Sequence, residues 1–390
     1  MAELFPRPQA RRSFLGLGLA AAFALLAGCQ VIPKGERPGP PPPQTEQPRP
    51  VPNLPADENR NRVAVLVPTS GENAAVGNSI ANAANLALID TGGQSLRITT
   101  YDTAKGAAAA ANQALADGNG LILGPLLSSD VEIVAPIARR AGVPVISFSN
   151  DVDVAGNGVF ILGFDPSQSI ERVVSYAKEK GMTRFAALVP EGVYGRRTGQ
   201  AMIEAVDRAK GRLVSMQTFG RSQASMNAAI AKLGADSAYD AILIADNGRI
   251  AMQAAPVIRR GSKAQILGTE LWNIESSLGS QPALRGAWFA SVADSRFNQL
   301  RTRYRARYGA SPYRLASLGY DAVLLAVRFA GKEWKIGRTF PASALRDGEG
   351  FTGVDGAFRF GRDGVADRAL EVKQVGANGF TIVSPAPSAF

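Results

Sequence analysis

The chain has 390 residues, 43 Lys and Arg against 33 Asp and Glu, a formal charge of +10, no histidine and one cysteine, Cys29. Without histidine or a second thiol, a Ser-His-Asp site, a zinc site of the usual ligands and an internal disulfide are excluded. An enzyme working only with carboxylates or lysine is still allowed, and nothing in the sequence asks for a metal or a cofactor.

Arg7, Arg11 and Arg12 precede an apolar run from Phe14 to Ala27. That run is too short to span a bilayer and ends in small residues, as an export signal does. Leu26-Ala27-Gly28-Cys29 resembles a bacterial lipobox. The resemblance implies a lipoprotein signal peptide over 1–28, cleavage before Cys29 and acylation of its thiol. An ordinary signal with an incidental cysteine is the alternative. Gln30, where Asp usually marks inner-membrane retention, implies the outer membrane of a Gram-negative cell, with the protein lipid-anchored and facing the periplasm. Arg11-Arg12-Ser13-Phe14-Leu15 also resembles a twin-arginine signal, although Ala10 and Gly16 depart from it. Residues 29–61 are proline-rich, lack apolar periodicity and are expected to be a disordered tether. At roughly 3 Å per residue the tether reaches at most on the order of 100 Å. An exported chain of this kind is not expected to meet nucleic acid.

From residue 62 the rhythm is short apolar strand, turn, helix. Arg62–Pro68 reads as a buried parallel strand and Ala74–Asp90 as a helix. Strands follow at Leu96–Tyr101, Gly120–Gly124 and Val143–Phe148, separated by helices at Ala104–Ala116 and Ser129–Ala141. After Phe160–Phe164 the pattern restarts. Helices are expected at Ser167–Lys180, Gly195–Lys210, Met226–Leu233 and Arg249–Arg260. They alternate with strands at Phe185–Val189, Leu213–Phe219, Ala241–Ala245 and Gln265–Gly268. Ala287–Val292 forms one more strand, then come helices at Phe297–Tyr308 and Leu315–Ala330 and strand pairs between Gly353 and Val375. The arginines of Arg296–Arg307 read as the solvated side of a helix whose Phe297, Leu300, Tyr304 and Tyr308 point inward.

Parallel strands need crossover helices, so the expected class is α/β: two doubly wound, Rossmann-like lobes joined by crossing strands. Crossings are expected near Phe164 and Gly286. The first lobe then takes 62–164 and 287–345, and the second 165–286 and 346–384. No repeat array of 20–50 residues is found.

Several stretches carry a resemblance over residues 62 to about 383. They are Gly124-Pro125-Leu126-Leu127-Ser128-Ser129, Ala141-Gly142-Val143-Pro144-Val145-Ile146-Ser147, Val193-Tyr194-Gly195, Ile266-Leu267-Gly268-Thr269-Glu270 and Phe351-Thr352-Gly353-Val354-Asp355-Gly356. Their order and spacing resemble the type I periplasmic binding proteins of the Leu/Ile/Val-receptor class. Within that class, Leu267–Asn273 and Gly353–Phe360 resemble the penicillin-binding protein activator lipoproteins. Such proteins stimulate peptidoglycan synthases and are not enzymes.

Ligands of open α/β sheets sit at the carboxyl ends of the strands. The loops there carry Ser70, Ser128, Ser149, Asn150, Asp151, Tyr194, Asn247 and Glu270, the candidate ligand-binding set. By the resemblance, Ser128 and the Ser149–Asp151 loop hold a ligand carboxylate, Tyr194 covers it and Glu270 takes an ammonium. Ser128 and Ser149 also read as helix-cap and turn residues, and Glu270 as a loop charge. Trp272 is an interface anchor if exposed and a core residue otherwise. Ser175-x-x-Lys178 and Arg197-Thr198-Gly199 match motifs of penicillin-binding enzymes by chance, because no Ser-Asp-Asn lies between them.

The leading reading is therefore a non-enzymatic outer-membrane lipoprotein that activates a bifunctional peptidoglycan synthase. The alternative is the amino-acid-binding lipoprotein of an inner-membrane ABC permease.

Overall fold

The computed structural model describes residues 52, 54, 57–236, 238–346 and 348–387, without the side chains of 235 and 236. Cys29, the signal peptide and all but the end of the tether lie outside the described residues. No described helix is long and apolar enough to cross a membrane.

The first lobe begins with β1 (Asn61–Val67), α1 (Ala74–Asp90), β2 (Leu96–Asp102), α2 (Ala107–Ala116) and β3 (Leu121–Leu123). It continues with α3 (Ser128–Arg140), β4 (Val145–Ser147) and β5 (Val159–Ile161). The five strands are parallel, in the order β2-β1-β3-β4-β5. Strand β1 explains why both faces are covered. Val63, Val65 and Val67 enter one core cluster, while Ala64 and Leu66 enter the cluster on the other side. A continuous apolar strand needs helices on both faces to leave water entirely. The turn after β3 passes close to β1: Gly124 has φ +99°, and a Cβ there would meet the Leu66 carbonyl oxygen at 2.1 Å. Only glycine fits that approach.

The second lobe repeats the plan with α4 (Pro166–Glu179), β6 (Arg184–Pro190), α5 (Val193–Arg208), β7 (Arg212–Phe219) and α6 (Gln223–Asp236). Then come β8 (Ala241–Ile244), α7 (Gly248–Gly261), β9 (Gln265–Gly268) and β10 (Trp288–Ser291). The order β7-β6-β8-β9-β10 is that of the first lobe, and its strands are parallel. Short 3-10 turns fill residues 270–284 between β9 and β10.

Helices α8 (Ser295–Tyr308) and α9 (Ala316–Phe329) return to the first lobe, where Phe297, Leu300 and Tyr304 join its core. A small antiparallel sheet follows, β11 (Phe351–Gly353), β12 (Gly356–Phe360) and β13 (Ala366–Arg368). The chain ends with β14 (Glu371–Gly376) and β15 (Gly379–Ser384), antiparallel additions to the second sheet beside β10.

Two expected boundaries move. The second crossing lies at Val292–Asp294, not near Gly286, because β10 pairs with β9 and with β14 in the second sheet. Phe289 is buried there with Trp272 and Phe380. Residues 348–368 belong to the first lobe rather than the second: Phe351, Phe358 and Phe360 pack into the cluster that holds Phe160 and Phe329. A third crossing follows at Ala369–Leu370. A four-residue buried strand carries no mark of the sheet it joins, so periodicity misses this exchange.

Candidate functional site

Each lobe has its topological switch point between its first and third strands, and the loops leaving the carboxyl ends face the space between the lobes. A cavity of about 530 Å³ lies there, within the range usual for small-molecule sites. Both lobes and all three crossings contribute to its wall.

Two of the candidate residues line it, Asn150 from the first lobe and Glu270 from the second. Glu270 is half-buried at the end of β9. Its Oε2 accepts a hydrogen bond from Ser169 Oγ at 2.6 Å. Tyr194, at the start of α5, donates from its hydroxyl to Thr269 Oγ1 at 3.3 Å and lies 3.5 Å from Glu270 Oε1. Burial pushes the Glu270 carboxyl up to about 7, against the opposing hydrogen bond from Ser169. Burial, with the Glu270 charge second, also raises the Tyr194 hydroxyl.

The remaining candidates are engaged by the chain itself. Ser149 is buried, and its Oγ accepts from the Asp151 amide at 3.0 Å. Asp151 Oδ1 lies 2.5 Å from Nη2 of Arg197, and Asp153 Oδ2 lies 3.1 Å from the same nitrogen. Asp151 and Asp153 follow β4 in the first lobe, whereas Arg197 sits on α5 in the second, so this ion pair bridges the lobes. Burial raises the Asp151 carboxyl, but the hydrogen bonds it receives, from Arg197 above all and also from Ser128, hold it below the usual range. Ser70 donates to Asp102 Oδ2 at 2.6 Å, and Asn247 caps α7 by accepting from the Ile250 amide at 3.1 Å. Neither lines the cavity. Trp272 is fully buried, packs against Gly268 and donates from Nε1 to the Asp246 carbonyl at 2.9 Å. It is a core residue and offers no exposed anchor.

Several site residues escaped the sequence reading. Arg197 stood inside a chance motif. Ser169 is an ordinary helix residue until the fold brings it to Glu270. Arg314 and Arg368 line the cavity from segments far along the chain. Lys373 is buried at the crossings, where its Nζ contacts Asp294 at 2.5 Å, Asn273 at 2.8 Å and Glu371 at 3.2 Å. No periodic signal marks any of these, since each becomes notable only through its partners.

Two lobes of like topology, three crossings and a cavity between them define a bilobal binding protein. The chain belongs to the periplasmic binding protein family, whose profile matches residues 61–379. Solved structures agree. A putative branched-chain amino acid ABC transporter protein from Rhodospirillum rubrum superposes with a TM-score of 0.74 at 21% identity, over 83% of this chain and 100% of that one. The leucine-binding protein LivK of Thermotoga maritima gives 0.62 at 20% identity, over 84% and 98%. LpoA of Haemophilus influenzae gives 0.65 at 18% identity, over 84% of this chain and 60% of that one. An uncharacterised protein of Rickettsia prowazekii is 26% identical over 148 residues, 37% of this chain and 40% of its own length. The chain thus matches less than half of that relative. Family membership supports a periplasmic location.

Proposed function

We propose that the protein is a non-enzymatic, lipid-anchored periplasmic protein of the outer membrane that activates a bifunctional peptidoglycan synthase. The observation that carries this reading is the bridge between Arg197 and the Asp151–Asp153 loop. The resemblance assigns a ligand carboxylate to Ser128 and the Ser149–Asp151 loop. Here the Asp151 carboxylate of that loop is taken up by the chain's own Arg197 and Ser128, and Ser149 Oγ accepts from the Asp151 amide, which leaves Asn150 as the loop residue in the cavity wall. A receptor for free amino acids needs those groups open, whereas an interaction protein does not. The likeness to LpoA supports the same reading. Lipidation at Cys29 and Gln30 behind it supply the anchor.

A second reading, an ABC-transport receptor, is favoured by the cavity itself and by Glu270 in its wall. The two separate in one experiment. The full chain, purified in detergent, is assayed for capture and stimulation of the synthases of its own cell, and screened by thermal shift against the amino acids. Synthase stimulation without an amino-acid shift is the expected result. A shift of several degrees with one amino acid, and no synthase bound, hands the protein to the transport reading. The anchor is checked by fatty-acid labelling, which should vanish in Cys29→Ser.

A further inference from the structure

We propose that the end of the first lobe remote from the cleft is a membrane-docking surface, which lays the Lys335–Arg338 turn and its neighbouring cations on anionic phospholipid. The inference rests on the lipid anchor of the proposed function and is independent of the synthase.

The path of the chain sets which end faces the bilayer. Leu315, just before α9, lines the cleft cavity, so the 14 residues of α9 carry the chain about 20 Å away from it. At that far end Asn61, the first residue of β1, donates from Nδ2 to the Trp334 carbonyl at 3.1 Å. Asp57 is paired there with Arg60 at 2.7 Å and with Arg97 at 3.4 Å. The segment leading into β1 therefore joins the lobe beside residues 331–340. An anchor at Cys29 draws this end, not the cleft, toward the membrane.

The segment after α9 projects one turn. Trp334 is fully buried, its amide donates to the Phe329 carbonyl at 3.0 Å and its Nε1 to the Arg338 carbonyl at 2.8 Å. The Phe340 amide donates to the Gly120 carbonyl at 2.8 Å. Between these two anchors the Arg338 amide closes a turn on the Lys335 carbonyl at 3.2 Å. Gly337, at φ +73°, takes the third place of that turn, where the left-handed region is needed. Ile336 thus stands at the tip, 44% exposed, between Lys335 and Arg338. A lone exposed isoleucine is ordinary. This one is fixed between two side chains whose charged heads suit lipid phosphates, while its own apolar body suits the acyl boundary.

The same segment lines a second cavity, of about 410 Å³, with Arg328, Lys332, Glu333, Ser343 and Arg346 in its wall. Arg328 lies over the Phe351 ring at 4.9 Å and donates to the Gly350 carbonyl at 3.0 Å. Lys332, Lys335, Arg338 and Arg346 are exposed and form no ion pair among the described residues. Residues 328–346 hold five cations and one acid, Glu333. Each basic side chain near an anionic leaflet strengthens attachment about fivefold. Three cations and a hydroxyl around one cavity suit a lipid phosphate. The tether supplies the rest, since an anchored domain meets the bilayer at high effective concentration and weak contacts then suffice.

The test uses the acylated full chain in vesicles of phosphatidylcholine, with and without phosphatidylglycerol. With Cys29 acylated, a cysteine introduced at Ile336→Cys is the sole thiol and takes a fluorescent probe. Spin-labelled lipid should quench that probe in the phosphatidylglycerol vesicles at least threefold more than the same probe at Ile203→Cys, an exposed position of the second lobe. High salt, or Lys335→Glu with Arg338→Glu, should return the quenching to its level in phosphatidylcholine alone. Equal quenching at the two positions, or quenching indifferent to phosphatidylglycerol and salt, overturns the proposal. So does retention of the chain by purified peptidoglycan sacculi without quenching in vesicles, which would assign the cations to the polymer. Flotation of the unlabelled chain reads the anchor separately. A chain that leaves phosphatidylcholine vesicles has no anchor. If it still floats with phosphatidylglycerol the docking surface stands, and if it floats with neither the proposal falls.

Discussion

Glu270 shows how one residue shifts meaning between sequence and structure. In the sequence it is a loop acid that matches an ammonium-binding position. In the structure it is a half-buried carboxyl, pushed up to about 7 by burial. Its folded-state value lies above its unfolded value of about 4.5, so the folded protein binds more protons between those limits. Stability then falls as pH rises through that window, and the full penalty is present above it. With allowance for its partial exposure, the penalty is about 2 kcal/mol. The melting temperature should fall from pH 5 to pH 8, and Glu270→Gln should flatten that fall. Asp321 is shifted in the same direction and will leave a residual slope. An unchanged slope in the variant would show that Glu270 is solvated. The identity of the acid and its place after β9 were legible in the sequence. Ser169, its hydrogen-bond donor, was not, because it sits 101 residues away.

At the scale of elements, the helices and strands of the two lobes could be read from periodicity, and β9 falls at the expected Gln265–Gly268. The exchange of segments between lobes could not. Strand β10 and the β11–β13 sheet look like any short apolar runs, and only pairing assigns them. What fixes the exchange is partly Lys373. Its ammonium ties β14 to the second crossing through Asp294 and to the turn after β9 through Asn273. Removing one member of a buried charged network typically costs about 3–5 kcal/mol, because its partners are left without compensation. Lys373→Met should therefore lower denaturant stability by that order. A loss below about 1 kcal/mol would mean that Asp294, which is partly exposed, turns to water instead.

For the whole molecule, the quantity at issue is how far the lobes stand apart. Three crossings allow a hinge, and across the cleft Arg197 reaches the acids of the opposite lobe. The pair is partly exposed, so it is worth on the order of 1 kcal/mol, about fivefold in an open-to-bridged ratio. Arg197→Ala should raise the radius of gyration in small-angle scattering, and high salt should produce the same shift in the wild type by screening the pair. Identical profiles at low and high salt, with and without Arg197, would show that packing alone sets the spacing.

The bridge also changes what the molecule can report. A clamp that shuts only around its cargo tells a partner that cargo has arrived. A clamp that its own arginine biases about fivefold towards the bridged form takes up that form without cargo, so the bridged form alone carries little news. Information then lies in release: whatever competes for Arg197 or for the two aspartates, whether a partner's charged side chain or an ion, turns off a shape that is otherwise on.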